Sequence, residues 1–409
     1  MTNSPARSEP AAAPVTGGVA APSARRDPRI DAFRGLALAM IIVTHMPGNP
    51  WEILTVRSIG FSDAAEAFFL MSGVAAGIAY APGLARWLDG SGRLWPAMRP
   101  MWKRSWTLYQ VQILLTVVAI ALFSWSADTF YHGAFREMHN LARIFEETRA
   151  ALVGLATLGY QIGYVNILPA YIVLLLAAPF MIAAGLRAPW ITLGASLALW
   201  FVAGAYRLNI PAHPGTGGWF FSPPAWQAIF LIGLLTGIRL RAGARLVPVS
   251  RPLFALAAGV LLLVLAWRYW PGLGPALNHQ MARLGNAGAP SNIVSHTKTY
   301  LAAPRFVHAL ALAYVLSCLP IVTRLCAARA AAPLRLFGRH GLLVFSLGTI
   351  LALAGQILMD IEPDNAWFPW VLPLAAIAIC FLAAVLAEQS RKLVAAPREA
   401  GATGKATDG

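Results

Sequence analysis

Apolar residues fall along this chain in long blocks separated by short polar connections. The blocks lie at about 30–47, 63–82, 104–124, 163–184, 189–206, 223–240, 252–270, 301–322, 336–358 and 367–387. Each is near the ~20 residues that a helix needs to cross the hydrocarbon core of a bilayer. In lipid a backbone must satisfy its own polar groups, so such runs fold as helices. The pattern predicts an all-α polytopic membrane protein with about ten transmembrane helices. The first block is the least secure by hydropathy, being short and rich in polar groups.

Residues 1–27 are rich in Ala, Pro, Ser, Gly and Arg and show no apolar periodicity. They read as a disordered cytoplasmic tail, and they lack the apolar core of a signal peptide. Residues 394–409 have the same character, which leaves 28–393 as one membrane domain. Most of the 32 Lys and Arg residues fall in alternate connections. Arg86, Arg93, Arg99, Lys103 and Arg104 share one, and Arg239, Arg241, Arg245 and Arg251 share another. Cytoplasmic loops carry such an excess, so both termini are expected inside.

The chain of 409 residues is 58% hydrophobic and 12% charged, where a soluble domain carries roughly a quarter charged residues. The net charge of +15 does not point to nucleic acid, because the cations mark topology instead of forming a patch interleaved with aromatics. Cys318, Cys326 and Cys380 lie in or beside apolar blocks with no CxxC spacing, which indicates neither a disulfide framework nor a metal site. Two outer connections are long, about 125–162 and 271–300. The first holds a helix-like stretch from Asn140 to Leu158, with Leu141, Ile144, Phe145, Leu152 and Leu155 on one side, suited to a membrane surface or a lid. No internal repeat is visible, which weighs against a transporter.

Arg29-Ile-Asp-Ala-Phe-Arg-Gly-Leu-Ala-Leu-Ala-Met-Ile-Ile-Val-Thr-His45 carries the strongest chemical signal. Eleven steps of ~100° bring His45 back to the helix face of Arg34 after three turns, about 16 Å along the axis. Asp31 is one turn before Arg34 and is placed to orient it. Ionisable groups inside a membrane helix are costly and usually line a path, a pair or a site. The plainer alternative makes Arg34 a positive-inside anchor and His45 a bonded helix end. Next comes Phe61-Ser62-Asp63-Ala64-Ala65-Glu66, followed by Phe68-Phe69-Leu70-Met71-Ser72-Gly73. Asp63 and Glu66 share a helix face, yet acidic residues in a first turn also suit capping and the helix dipole. Ser72-Gly73 permits close approach of a second helix.

Weaker candidates follow. Asn166 and Tyr171 open a helix with polar groups, and Trp226 and Gln227 end the aromatic run WFFSPPAWQ, which suits either a sugar ring or interfacial anchoring. Lys298, Arg305 and His308 sit at the outer mouth of the eighth block, and His340 opens the ninth.

The stretches RIDAFRGLALAMIIVTH and FSDAAEAFFLMSG closely resemble the start of the OpgC family. NILPAYI, FFSPPAWQAIF, APRFVHALAL and LFGRHGLLVFSLGTILALAGQ resemble its later blocks, so the resemblance runs from about 28 to 388. That family looks like a branch of the acyltransferase-3 superfamily, whose first helix carries an Arg-x10-His motif matched here by Arg34 and His45. Gly338-Arg339-His340-Gly341 departs from the Gly-Arg-Asn-Ser expected there.

The resemblance implies O-acyl transfer onto osmoregulated periplasmic glucans, with succinyl-CoA as a cytoplasmic acyl-CoA donor and no bound cofactor or metal. In that frame Arg34 holds the donor, and His45 acts as general base or acyl relay. Asp63 or Glu66 orients the imidazolium. Asn166, Tyr171, Trp226, Gln227, Lys298, Arg305 and His308 bind substrate. The expected partners are the glucan, the acyl-CoA and the lipid bilayer. A transporter or flippase for a glycan or lipid-linked glycan is the alternative, and a non-catalytic scaffold leaves the clustered charges unexplained.

Overall fold

A computed structural model describes residues 27–400, the side chains of 395–400 apart. Among the described residues there is no strand, and ten helices of at least sixteen residues carry the fold. These are α1 (Pro28–Thr44), α2 (Ala64–Leu88), α3 (Leu94–Thr129), α4 (Ile167–Arg187), α5 (Pro189–Ala205), α6 (Pro223–Arg241), α7 (Arg251–Tyr269), α8 (Ala303–Cys318), α9 (Gly341–Ile361) and α10 (Phe368–Ala400). Each overlaps one of the apolar blocks. Six of them (α2, α3, α4, α7, α9 and α10) are long and apolar enough to cross a membrane. Helix α8 joins them only when counted with Pro320–Ala327, which continues it at an angle of 79°. Helices α1 and α5 have 17 residues, and α6 ends on Arg239 and Arg241.

Glycine sets the closest packing. A Cβ on Gly73 would stand 2.1 Å from the Phe230 carbonyl oxygen, and one on Gly77 would stand 2.2 Å from that of Leu234. The relation is reciprocal: Gly233 faces the Leu70 oxygen at 2.1 Å and Gly237 the Val74 oxygen at 2.2 Å. Two glycine pairs, each four residues apart, therefore bring the backbones of α2 and α6 into contact. In lipid, where apolar surface alone does not drive association, close backbone packing of this kind holds helices together. The expectation for Gly73 is met, and its partner is α6.

A second close pair fixes the start of α1. Gly35 meets the Leu334 oxygen and Gly338 meets the Asp31 oxygen, each closer than 2 Å to a built Cβ. The helix opposite α1 is Ala332–Arg339, so the expected single block 336–358 is broken: this short helix ends at His340 and α9 begins at Gly341. The block 301–322 is likewise broken, at Leu319, because Pro320 has no N–H to continue the ladder and its ring clashes with the preceding turn.

The outer stretch 140–158 is two short helices, Ala142–Glu146 and Thr148–Ala156, and not one. Leu141 and Ile144 are buried while Phe145, before the break, and Leu152, after it, are exposed, so the expected apolar side is not one buried face. The connection 271–300 holds a helix of its own, Leu273–Asn286. The tails expected at 1–27 and 394–409 lie outside the described residues except at their inner ends, where Asp27 caps α1 and α10 continues to Ala400.

Candidate active site

Helix α1 stops at Thr44, and His45 follows as its C-cap with φ −86° and ψ 0°. The His45 N–H still bonds the Ile41 oxygen at 2.9 Å. Its carbonyl oxygen accepts from Nε2 of Gln356 on α9. The Gln356 Oε1 in turn lies 2.7 Å from Nε2 of His139. With the amide so oriented, His139 donates its Nε2 proton. The ring of Tyr164 stands edge-on to both imidazoles, 4.8 Å from His45 and 5.1 Å from His139 between centroids. His139 and Tyr164 both hold positive φ, 55° and 66°. That conformation disfavours side chains other than Gly, Asn and Asp. Their backbones bend there to turn both rings toward the end of α1. Among the described residues, the buried Nδ1 of His45 has no hydrogen-bond partner.

The acidic pair beyond it forms a closed network. Asp63 is the N-cap of α2: its Oδ1 accepts from Ala65 N at 2.8 Å, while Glu66 Oε2 accepts from Asp63 N at 2.8 Å, a capping box. The remaining oxygens take cations. Lys298 Nζ is 2.6 Å from Asp63 Oδ2. Arg305 reaches Asp63 Oδ2 at 3.1 Å and Glu66 Oε1 at 2.8 Å. Glu66 is only 1% exposed, so its charge is compatible with burial because Arg305 neutralises it. Capping and site-building are here the same act. The carboxylates that start α2 also draw the 298–305 segment over the His45 end. Among the described residues neither carboxylate bonds His45, so the expected imidazole-orienting contact is absent and the polar tie on His45 comes from Gln356.

Beside this network His308 is buried with its Nδ1 2.7 Å from Ser62 Oγ. Ser62 N also points at Nδ1, at 3.4 Å, so Nδ1 accepts and the ring proton is on Nε2. The imidazole packs on Gly60, where a Cβ would stand 2.1 Å from the ring. This contact ties α8 to the start of α2.

A cavity of about 320 Å³ opens next to His139 and is lined also by Asn140, Gln161, Asn166, Trp219, Phe220 and Thr299. The Gln161 Oε1 and Trp219 Nε1 atoms are buried without partners among the described residues. Buried polar atoms are otherwise almost always bonded, so these two stand ready for the hydroxyls of a guest. Lys298 Nζ lies 5.9 Å and 5.5 Å from the Phe220 and Phe221 ring centroids, near the same wall. Burial holds the His139 imidazole below its ordinary value, partly offset by its bond to Gln356.

The residues expected from sequence divide into three groups. His45, Asp63, Glu66, Lys298, Arg305 and Asn166 gather at one end of the bundle. Arg34 stands apart, its guanidinium against Gly341 at the start of α9, with Nη2 3.2 Å from where a Cβ would stand. The third group is interior. Trp226 is fully buried and donates to the Lys298 and Thr299 carbonyl oxygens at 3.1 Å and 3.2 Å. Gln227 is buried against Ser196. Neither face is open to a sugar, which corrects their reading as substrate-binding residues. They instead anchor the 298–299 segment and α5 to α6. Tyr171 packs among Phe68 and Phe230 rings, 5.5 Å and 6.3 Å away, and His308 is the buried lock on Ser62.

His139, Tyr164, Gln161, Trp219 and Gln356 are the residues that sequence reasoning passed over. Gln356 alone carried a local signal, as an amide inside an otherwise apolar helix. The others sit in connections whose fold has no periodicity to read.

The family model described as OpgC protein matches residues 26–392, nearly the whole chain and every residue of the candidate site. No curated protein and no solved structure matches the chain. The chain is therefore a membrane protein that belongs to the OpgC family.

Proposed function

We propose that this protein is a membrane O-acyltransferase of the inner membrane that transfers succinyl from a cytoplasmic acyl-CoA to hydroxyls of osmoregulated periplasmic glucans. The observation that carries the reading is His45. It is a histidine at a helix end with its main chain held by Gln356, a ring nitrogen without a partner among the described residues, and a polar, aromatic cavity beside its Tyr164–His139 neighbours. A neutral imidazole takes the proton of the attacking hydroxyl as the new C–O bond forms. The acyl–sulfur bond breaks, and the departing CoA thiolate takes up a proton. Lys298, held by Asp63, supplies positive charge for the oxyanion that develops on the acyl carbonyl. Family membership supports the glucan as acceptor.

Arg34 lies about three turns below His45 on α1, at the end where His340 bonds Glu388 at 2.8 Å and Arg339 approaches it. That basic end suits the donor phosphates. The reading takes α1, α5, α6 and the bent α8 as spans, ten in all with both termini cytoplasmic. The apolar character of each and the distribution of Lys and Arg support this.

The test is mass spectrometry of periplasmic glucans from cells with and without the protein, together with purified protein given succinyl-CoA and glucan. Succinyl esters that depend on the protein in both settings are expected. Unmodified glucan with the protein present and inserted would overturn the reading.

A further inference from the structure

A second cavity, of about 470 Å³, opens between the end of α7, the helix Leu273–Asn286 and His296. Three of its rings form one cluster. Phe61 stands 5.3 Å from Trp267 and 4.3 Å from His296, and Trp267 stands 5.7 Å from His296. Tyr269 and Trp270 add exposed rings at the rim. The polar groups are few and placed, and one of them is Arg268, whose Nη1 donates to the Gly60 carbonyl oxygen at 3.2 Å. The Asn278 Oδ1 accepts from Trp267 Nε1 at 3.2 Å and lies 3.4 Å from His296 Nε2. A proton on His296 Nε2 leaves Nδ1 as an acceptor, and that buried atom has no partner among the described residues. The Asn278 amide nitrogen remains as a donor. Burial, with Arg305 nearby, holds the imidazole below its ordinary value and so keeps that lone pair available.

We propose that this cavity is an accessory carbohydrate subsite, which binds glucosyl units of the acceptor remote from the hydroxyl that is acylated. A glucosyl ring in its chair form has apolar C–H faces and a polar equatorial rim. It therefore fits aromatic rings with a few hydrogen-bonding groups at their edge, and it does not fit a purely apolar groove. The cavity has that chemistry, and it lies close to the first one. His296 opens into the second cavity and Thr299 into the first. Three chain steps span at most about 10 Å, a gap that a short oligosaccharide bridges. Between them Lys298 is pinned by Asp63, and Phe61 is two residues before Asp63. A chain lying across the Lys298 wall has one unit beside His139 and further units on Trp267 and Trp270.

This rests on the acyltransfer reading above, and the experiment separates the two. Steady-state succinyl transfer by the purified full-length protein is measured with linear gluco-oligosaccharides of two units and of ten or more. Wild type, Trp270→Ala and Trp267→Phe are compared, the last keeping a ring but losing the indole N–H. For Trp270→Ala we expect about a tenfold rise in KM for the long acceptor, about what one lost stacking contact is worth. The short acceptor's KM and both kcat values stay at wild-type level. Trp267→Phe frees Asn278 Oδ1 and gives a smaller change of the same pattern. A Trp270→Ala protein whose KM for the long acceptor stays at the wild-type value overturns the subsite, and so does one impaired equally on both. A wild-type protein that succinylates neither acceptor overturns the parent reading and the subsite with it.

Discussion

The main-chain oxygen of His45 is held by the side-chain amide of Gln356, a residue 311 positions away in the sequence. A carbonyl at a helix C-terminus has no partner within its own helix. Gln356 supplies one, and by accepting from His139 it links three segments that meet only in the fold.

Gln356→Leu removes both bonds while keeping volume. A lost buried hydrogen bond is worth roughly 0.5–1.5 kcal/mol, and here it is spent on the position of the imidazole. The expected result is a fall in kcat of about tenfold with donor KM unchanged, in protein that still inserts. Gln356→Glu, which keeps an acceptor for His139 but loses the donor to His45, should fall as far. A variant with unchanged kcat would show that the amide has no part in placing His45.

The crossing of α2 and α6 gives a stability test. Gly73→Ala and Gly233→Ala each place a methyl group about 2.1 Å from a backbone oxygen that belongs to another helix. Backbone cannot yield as a side-chain end can, so a loss of about 1–3 kcal/mol or more is expected. Thermal unfolding in detergent and the amount of folded protein in membranes report it. Gly259→Ala on α7, with nothing within 4 Å, is the control and should be neutral. Equal behaviour of all three variants would contradict the close crossing.

The ion network predicts an order of sensitivity. Arg305→Met strands Glu66, which is almost wholly buried, and breaking one side of such a pair costs on the order of 3–5 kcal/mol. Lys298→Met leaves Asp63 still paired with Arg305 and costs less. Adding Glu66→Gln to Arg305→Met should recover part of the loss, and a double-mutant cycle by thermal unfolding measures it. An additive pair would mean that Arg305 and Glu66 do not depend on each other.

Apolar blocks made ten helices legible in the sequence, because a long apolar helix leaves a length and composition signal in its own segment. The Arg34–His45 spacing and the Asp63–Glu66 pair were legible for the same reason, being local to one helix. Trp226 was misplaced because an aromatic at an interface looks the same whether its ring faces outward or, as here, packs inward on Phe69 and Phe221. The His139–Gln356–His45 chain was not legible, since it depends on a positive φ at His139 and on the packing of α9 against α1. The break at Leu319 interrupts an apolar run whose hydropathy continues across it, whereas the one at His340 follows Arg335 and Arg339 in a short amphipathic helix.

Acid should weaken the fold through His139 and His296. Burial holds both imidazoles below their ordinary value of about 6.5. As pH falls through that value, the unfolded chain takes up protons that the folded chain does not, so stability falls with pH. Above it, both states are neutral and the contribution is level. Thermal midpoints from pH 8 down to pH 5 should therefore decline below about 6.5, and His139→Gln should flatten part of the slope. An acid slope unchanged by His139→Gln would place the titration elsewhere.

The central claim is that the His45 imidazole accepts a proton during acyl transfer. The most direct measurement is the rate of succinyl-glucan formation by His45→Gln, normalised to folded protein in the membrane. Glutamine keeps hydrogen-bonding groups and the main-chain contact with Gln356, but it is no base at neutral pH. A loss of at least ~10²-fold is expected for an essential base. A folded, inserted His45→Gln protein that succinylates glucan at a near-wild-type rate would contradict the claim and leave His45 as the packed end of α1.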